Sequence, residues 1–345
     1  MVRRSALECV IAFGETDAWP EEAVVKSLRE EIGRLEPFGD RLAAAVRRCG
    51  NPVMVGLDPR LSEIPRSLLQ GTSKKLSPGE IGAAYLRFCK EVIDVVAPLV
   101  PIVKPQVAFF EQIGPAGMEA LVAVIQHARA AGLLVVMDVK RGDIGSTAAA
   151  YADGWLGADS VWGADAVTVN PYLGDDSLAP FVEVARQRSA GLFVLVKTSN
   201  PGGKRYQDRA TSDGKLLYEH VAEDVEQLSV ASFGASCHGS IGAVVGATYP
   251  AELEKLRGMM PHCWLLVPGY GSQGGTARDV GGAFDEQGLG AVINSSRGII
   301  FAHSRPPYAE RYGEARWQDA VAAATSEMID ELRSETSAGK LSRDR

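Results

Sequence analysis

No run in the 345-residue sequence approaches the roughly 18 consecutive apolar residues needed to cross a bilayer as a helix. Metal-ligand spacings are missing as well. HxH, HExxH and CxxC do not occur, and with them go the commonest zinc and redox motifs. The five cysteines, Cys9, Cys49, Cys89, Cys237 and Cys263, are scattered and odd in number, which fits unpaired thiols in a reducing compartment better than a disulfide framework. Basic excess is also lacking. The 36 Lys+Arg face 43 Asp+Glu for a formal net charge of -7, the wrong sign for wrapping nucleic acid through the bulk surface. Any phosphate must therefore be met by a local site. Two arginines precede an early apolar stretch, but Glu8 interrupts it and no convincing cleavage site follows, so no signal peptide is read. The expectation is a cytoplasmic protein with neither nucleic-acid nor membrane partners.

What is present is core material: 46% hydrophobic and 23% charged residues, close to the soluble globular average. One grammar repeats through the middle of the chain, a short Val/Ile/Leu run, a Gly- or Pro-marked loop, then a longer amphipathic or Ala-rich stretch. The runs fall at 53–57, 102–106, 134–139, 166–170, 192–197, 242–246, 264–268 and 291–295. Continuous apolar strands alternating with helices imply a parallel sheet buried on both faces, and eight such units suit closure into a (β/α)8 TIM barrel. A doubly wound open sheet is the rival. Polar residues at the ends of the runs favour the barrel: Asp58, Lys104, Asp138, Lys140, Asn170, Lys197, Pro268 and Arg297 would decorate the rim where this fold keeps its active sites. The expected organisation is a single barrel domain over 37–333. An N-terminal extension, 1–36, carries Val25, Leu28, Ile32 and Leu35 at helical spacing. A polar C-terminal tail, 334–345, is expected to fray.

The chemistry concentrates in the run DVKRGD, Asp138 to Asp143. Residues i and i+2 share a face of a strand, so Asp138 and Lys140 should project together into the barrel. Burying both costs several kcal/mol per ion unless they are paired and further satisfied. By itself the pair could be a structural ion pair of the core. Lys104, ending the preceding strand, and Asp143 extend it to an array of two ammoniums and two carboxylates that needs no metal. The histidines His127, His220, His238, His262 and His303 lie off these strands and read as surface or loop groups. Further on, PGYGSQGG (268–275) follows the seventh run and NSSRGI (294–299) the eighth. Glycines that admit backbone N–H groups, a helix start and the Arg297 fork together suit a phosphate.

VGLDPRL (55–61), VKPQVAFFEQIGPAGMEAL (103–121), DVKRGDIGSTAAAYA (138–152), DAVTVNPYLGDDSLAPF (165–181), VKTSNPGG (196–203), VPGYGSQGG (267–275) and NSSRGI together resemble the orotidine 5'-phosphate decarboxylase family, in its longer bacterial subgroup. The likeness runs over about residues 37–331 with every motif in order. It implies decarboxylation of orotidine 5'-monophosphate (OMP) to UMP, the last step of de novo UMP synthesis, with no metal or organic cofactor. By the same resemblance Lys140 is the proton donor to C6, Asp138 the carboxylate beside the leaving CO2, and Lys104 the ammonium bridging the array and the ribose. Asp143, Ile144 and Thr147 match the segment that the family contributes across a homodimer interface to the neighbouring site. Asp58, Ser199 and Pro268 are placed with the substrate, and Gln273 and Arg297 with its phosphate. Tyr270 departs from the smaller residue frequent in shorter relatives, and Asn170 is given no role. Two rival functions are a different phosphosugar decarboxylase or aldolase, which would want a metal for its enediolate, and a catalytically silent nucleotide-binding barrel, which would be expected to have lost part of the Lys/Asp array.

Overall fold

A computed structural model describes residues 36–69, 76–157, 159–271 and 274–341. The expectation for the N-terminal extension, apart from Glu36, lies outside the described residues, as does Gln273. Eight parallel strands, β1 (Val53–Leu57), β2 (Ile102–Pro105), β3 (Leu134–Arg141), β4 (Ala166–Val169), β5 (Gly191–Lys197), β6 (Ile241–Val245), β7 (Leu265–Pro268) and β8 (Ala291–Ser295), pair in sequence order, and β1 pairs β8 to close the barrel. Each of the eight apolar runs supplies one strand. The strands are buried almost throughout, as expected where helices cover the outside and side chains fill the inside.

Local signals set the helices. Pro78–Val96 starts on a capping box, in which the Ser77 hydroxyl accepts from Glu80 N and the Glu80 carboxylate accepts from Ser77 N. Phe38–Cys49 stops at Gly50, whose φ of 63° is the left-handed conformation that glycine adopts without strain. The long helix Trp317–Glu335 packs against helix Pro78–Val96, where Trp317 and Phe301 lie on Phe88 at centroid distances of 5.3 and 5.4 Å.

The chain beyond 333 differs from expectation. The helix runs to Glu335 and a 3-10 turn follows at Ser337–Lys340. Ala338 is fully buried, Ser337 Oγ donates to Asp285 O at 2.8 Å, and Lys340 Nζ donates to Glu286 O at 2.7 Å. The small residues read as a fraying tail instead permit close approach: a Cβ on Gly339 would lie 2.2 Å from Arg333 O. Residues 342–345 lie outside the described residues.

Helix Phe38–Cys49 closes the N-terminal mouth of the barrel. Arg41 bridges Asp165 ahead of β4 at 2.6 Å, Gly39 N donates to Ser240 Oγ ahead of β6, and Trp264 Nε1 donates to Gly39 O. The buried Phe38 ring meets Phe193 edge to face and fills the space over Gly191, where a Cβ would come within 2.1 Å of it. Gly191→Ala therefore overpacks this plug and should lower stability by about 2 kcal/mol. Chemical denaturation checks this; an unchanged midpoint would mean that the Phe38 ring can move aside.

Candidate active site

At the opposite, C-terminal mouth lies a cavity of about 440 Å³. Its charged end is built by three adjacent strands. Lys104 comes from β2, Asp138 and Lys140 from β3, and Thr168 from β4, with Gln106 just past β2 and Asp58 just past β1. Asp138 is the hub. One carboxylate oxygen accepts from Lys104 Nζ and Gln106 Nε2, both at 2.8 Å. The other accepts from Lys140 Nζ at 2.5 Å and Thr168 Oγ1 at 3.0 Å. Burial alone would raise the Asp138 pKa, but the Lys104 and Lys140 ammoniums and their hydrogen bonds outweigh it and hold the carboxyl well below its ordinary range. The same balance acts on Lys104. Burial favours its neutral form, yet Asp138 and then Asp58 raise its pKa overall.

The strand does not continue regularly through this motif. The β3–β4 register shifts between Met137 and Arg141, and Lys140 has a φ of 45°, uncommon for a residue with a side chain and costing on the order of 1–3 kcal/mol. Thr168 holds this conformation. Its hydroxyl accepts from Val139 N at 3.0 Å and from Lys140 N at 2.9 Å while donating to Asp138, so its one donor and two acceptor sites are all used. The shared face of Asp138 and Lys140 is thus achieved by a bulge rather than by regular strand alternation. A lone polar residue inside the apolar run AVTVN was the available signal for Thr168.

Leu195, Val244 and Leu266 supply apolar lining, and Thr198, Ser199 and Asn200 enter from the loop after β5. The far end is formed by Pro268, Gly269, Tyr270, Asn294, Ser296 and Arg297. Its loop is closed by Gly271 N to Gly275 O and Gly274 N to Gly271 O, with Gly269, Gly271 and Gly274 all at positive φ, which only glycine adopts freely. Tyr270 anchors the loop. Its side chain is buried and its hydroxyl donates to Glu331 on helix Trp317–Glu335, while burial followed by that carboxylate pushes the phenol pKa up.

Of the residues singled out from sequence, Asp58, Lys104, Asp138, Lys140, Ser199, Pro268 and Arg297 line this one cavity. Asp58 keeps a buried oxygen with no hydrogen-bond partner among the described residues. Asp143, Ile144 and Thr147 do not line it. Asp143 turns its carboxylate to Ile144 N at 2.8 Å, and Ile144 is 58% exposed. Asn170 is also outside; it is exposed after β4, and its side-chain oxygen accepts from Tyr172 N in a local turn. Gln106, Thr168, Thr198, Asn200 and Asn294 are lining residues that sequence reasoning left unassigned. Two of the five histidines, His238 and His303, are buried.

Replacing Asp138 by Asn leaves two ammoniums without their shared counter-ion and should destabilise the fold by about 3 kcal/mol at neutral pH. A carboxyl held below its unfolded value contributes fully above that value and loses the contribution as pH falls through the folded pKa. The wild-type and Asp138→Asn denaturation midpoints should accordingly converge below about pH 4. A gap independent of pH over that range would contradict the ionised hub.

Comparison with known proteins agrees with this architecture. The model of the orotidine 5'-phosphate decarboxylase / HUMPS family matches residues 51–312. The orotidine 5'-phosphate decarboxylase of Rhodopirellula baltica is 56% identical over 300 residues, spanning 86% of this chain and 99% of that protein. Its counterpart in Deinococcus radiodurans is 44% identical over 249 residues, 72% of this chain and 83% of that protein. The structure of Leishmania donovani OMP decarboxylase superposes with a TM-score of 0.67 at 34% identity, covering 87% of this chain and 98% of the other. On a family match across most of its length, and on relatives this similar, the chain belongs to the orotidine 5'-phosphate decarboxylase / HUMPS family.

Proposed function

We propose that this protein is a carboxy-lyase that converts orotidine 5'-monophosphate to UMP and CO2. The observation that carries the reading is the array of buried Lys104 and Asp138 with the half-exposed Lys140, facing one end of a cavity whose other end is a Gly-rich loop with Arg297. The similarly named relatives support it. The C6–carboxylate bond breaks, CO2 leaves, and the electron pair stays on C6 as a vinyl carbanion that the ring barely stabilises. Fixed positive charge must meet it. Lys140 Nζ supplies that charge and then donates a proton to C6, and solvent restores the proton to Lys140. No oxidant or reductant enters the balance.

Asp138 sits beside the departing carboxylate and, held ionised by two ammoniums, disfavours it. Carbanion stabilisation is the larger effect in this reading, with ground-state stress secondary. Lys104 bridges the array toward the ribose, whose hydroxyl would satisfy the unpartnered oxygen of Asp58. Ser199 and Pro268 bound the base, and Arg297 with Gln273 holds the phosphate, where binding energy can be used to organise the reacting end. The protein acts as a homodimer in which Asp143, Ile144 and Thr147 serve the neighbouring site. Their position off their own chain's cavity and the exposure of Ile144 support this. Among the described residues no helix is long and apolar enough to cross a membrane, and the reading places the enzyme in the cytoplasm.

Purified protein should convert OMP to UMP in the presence of EDTA; folded protein inactive on OMP would refute the assignment. Lys140→Ala should lower kcat by about 10³-fold or more while UMP still binds, and substantial remaining turnover would remove Lys140 as the acid. Mixing inactive Lys140→Ala and Asp143→Ala chains should restore part of the activity, because one composite site then carries both native residues. Confirmed mixed dimers without recovery would place Asp143 outside the neighbour's site.

A further inference from the structure

Lys197 is a buried cation that the proposed chemistry does not use. It ends β5 at 1% exposure, yet it does not line the cavity, although Leu195 two residues earlier does. The irregularity in the β5–β6 register lies between these two residues. An ammonium in such a place costs several kcal/mol unless paired. Its partner is Asp208, eleven residues on, and the ammonium lies 4.6 Å from the Tyr218 ring centroid and 5.5 Å from that of Tyr249.

Between the two charged residues runs the loop that carries Thr198, Ser199 and Asn200 to the cavity. Thr198 and Gln207 close it just inside the ion pair. Thr198 N donates to Gln207 Oε1 at 3.0 Å and Gln207 Nε2 donates to Thr198 Oγ1 at 2.8 Å, while Thr198 Oγ1 donates to Asn200 Oδ1 at 2.7 Å. Ser199 rests against the backbone of Gly246, where a Cβ would lie 2.8 Å from Ser199 Cα, and Gly246 N donates to Lys197 O at 2.8 Å. The loop is thus pinned at its base by an ion pair whose lysine is buried and whose aspartate is partly exposed, closed by a side-chain amide, and backed by a neighbouring strand end.

The structure assigns to Lys197 and Asp208 the role of a positioning clamp that fixes the loop 198–207, and with it Ser199, against the base end of the bound nucleotide. The inference rests on the decarboxylase reading, with Ser199 facing the pyrimidine. Because this loop follows β5 and Arg297 follows β8, which are not neighbours in the barrel, the clamp should govern binding of the base and leave binding of the sugar phosphate alone.

Titration calorimetry with UMP and with ribose 5-phosphate separates the two ends, and OMP kinetics gives KM and kcat. Lys197→Met keeps an aliphatic stem between the tyrosines and removes the charge. It should weaken UMP binding and raise the OMP KM by about tenfold, with ribose 5-phosphate binding within about twofold of wild type. Unchanged UMP affinity, or an equal loss for both ligands, would overturn the clamp. Lys197→Met/Asp208→Leu leaves no buried charge unpaired, so it tests the role even if the single variant does not fold. The double variant should keep the UMP defect, whereas wild-type UMP affinity in it would reduce the pair to a contribution to stability. Turnover of OMP by the unaltered protein is measured first, and its absence would overturn the decarboxylase reading rather than the clamp.

Discussion

A carboxylate held between two ammoniums inside a barrel is an expensive arrangement, and much of this site follows from how Asp138 is accommodated. Its two oxygens accept four hydrogen bonds, from Lys104, Gln106, Lys140 and Thr168. Those donors come from β2, β3 and β4 or their immediate ends, so the carboxylate is satisfied only when three neighbouring strands hold their mutual register. In return the ionised carboxylate keeps Lys104 charged despite its burial. The array and the barrel that positions it are therefore mutually dependent. This fits the general pattern that buried charge persists only where both Coulombic and hydrogen-bonding demands are met.

The other parts of the mouth are fixed by tethers to the surrounding wall. Tyr270 ties the Gly-rich loop to the helix after β8 through Glu331, and Lys197 ties the loop after β5 to Asp208 among two aromatic rings. Loops are ordinarily the mobile, low-stability parts of a domain. Here these two cavity-lining loops each carry a buried polar anchor that has no place in the proposed bond-breaking step. Such anchors keep donors in place before a ligand arrives, which is what electrostatic stabilisation of a developing charge requires.

The barrel was legible because its information is local. Eight apolar runs of strand length, each ending in polar or turn residues, dictate eight buried parallel strands, and the runs differ from the observed strands only at their ends. Lys104, Asp138 and Arg297 were legible for the same reason, as polar residues at or just past strand ends, whereas Ser199 was picked out only through the family resemblance. Thr168 was not, because its importance lies in a non-local bond to the backbone of β3. The bulge at Lys140 was hidden too, since nothing in DVKRGD marks a left-handed lysine. The residues after 333 misled in the opposite direction. Small residues signal freedom in an isolated chain, but Ala338 and Gly339 are small because other backbone lies against them.

The bulge also accounts for the division of labour within one short motif. In a regular strand, side chains alternate between two faces, and Asp138, Lys140 and Gly142 would follow one another along the barrel interior. With Lys140 at positive φ and the register shifted, the ammonium stays on Asp138 while Arg141 reaches Glu111 and lies over the Tyr151 and Trp155 rings. Arg141 thereby fixes where the strand ends, and the chain leaves the cavity at Gly142. The half-buried Asp143 and the exposed Ile144 follow at the start of the next helix. A motif six residues long can face both its own cavity and whatever lies across that surface only because its backbone bends in the middle, and Thr168 is the residue that holds the bend.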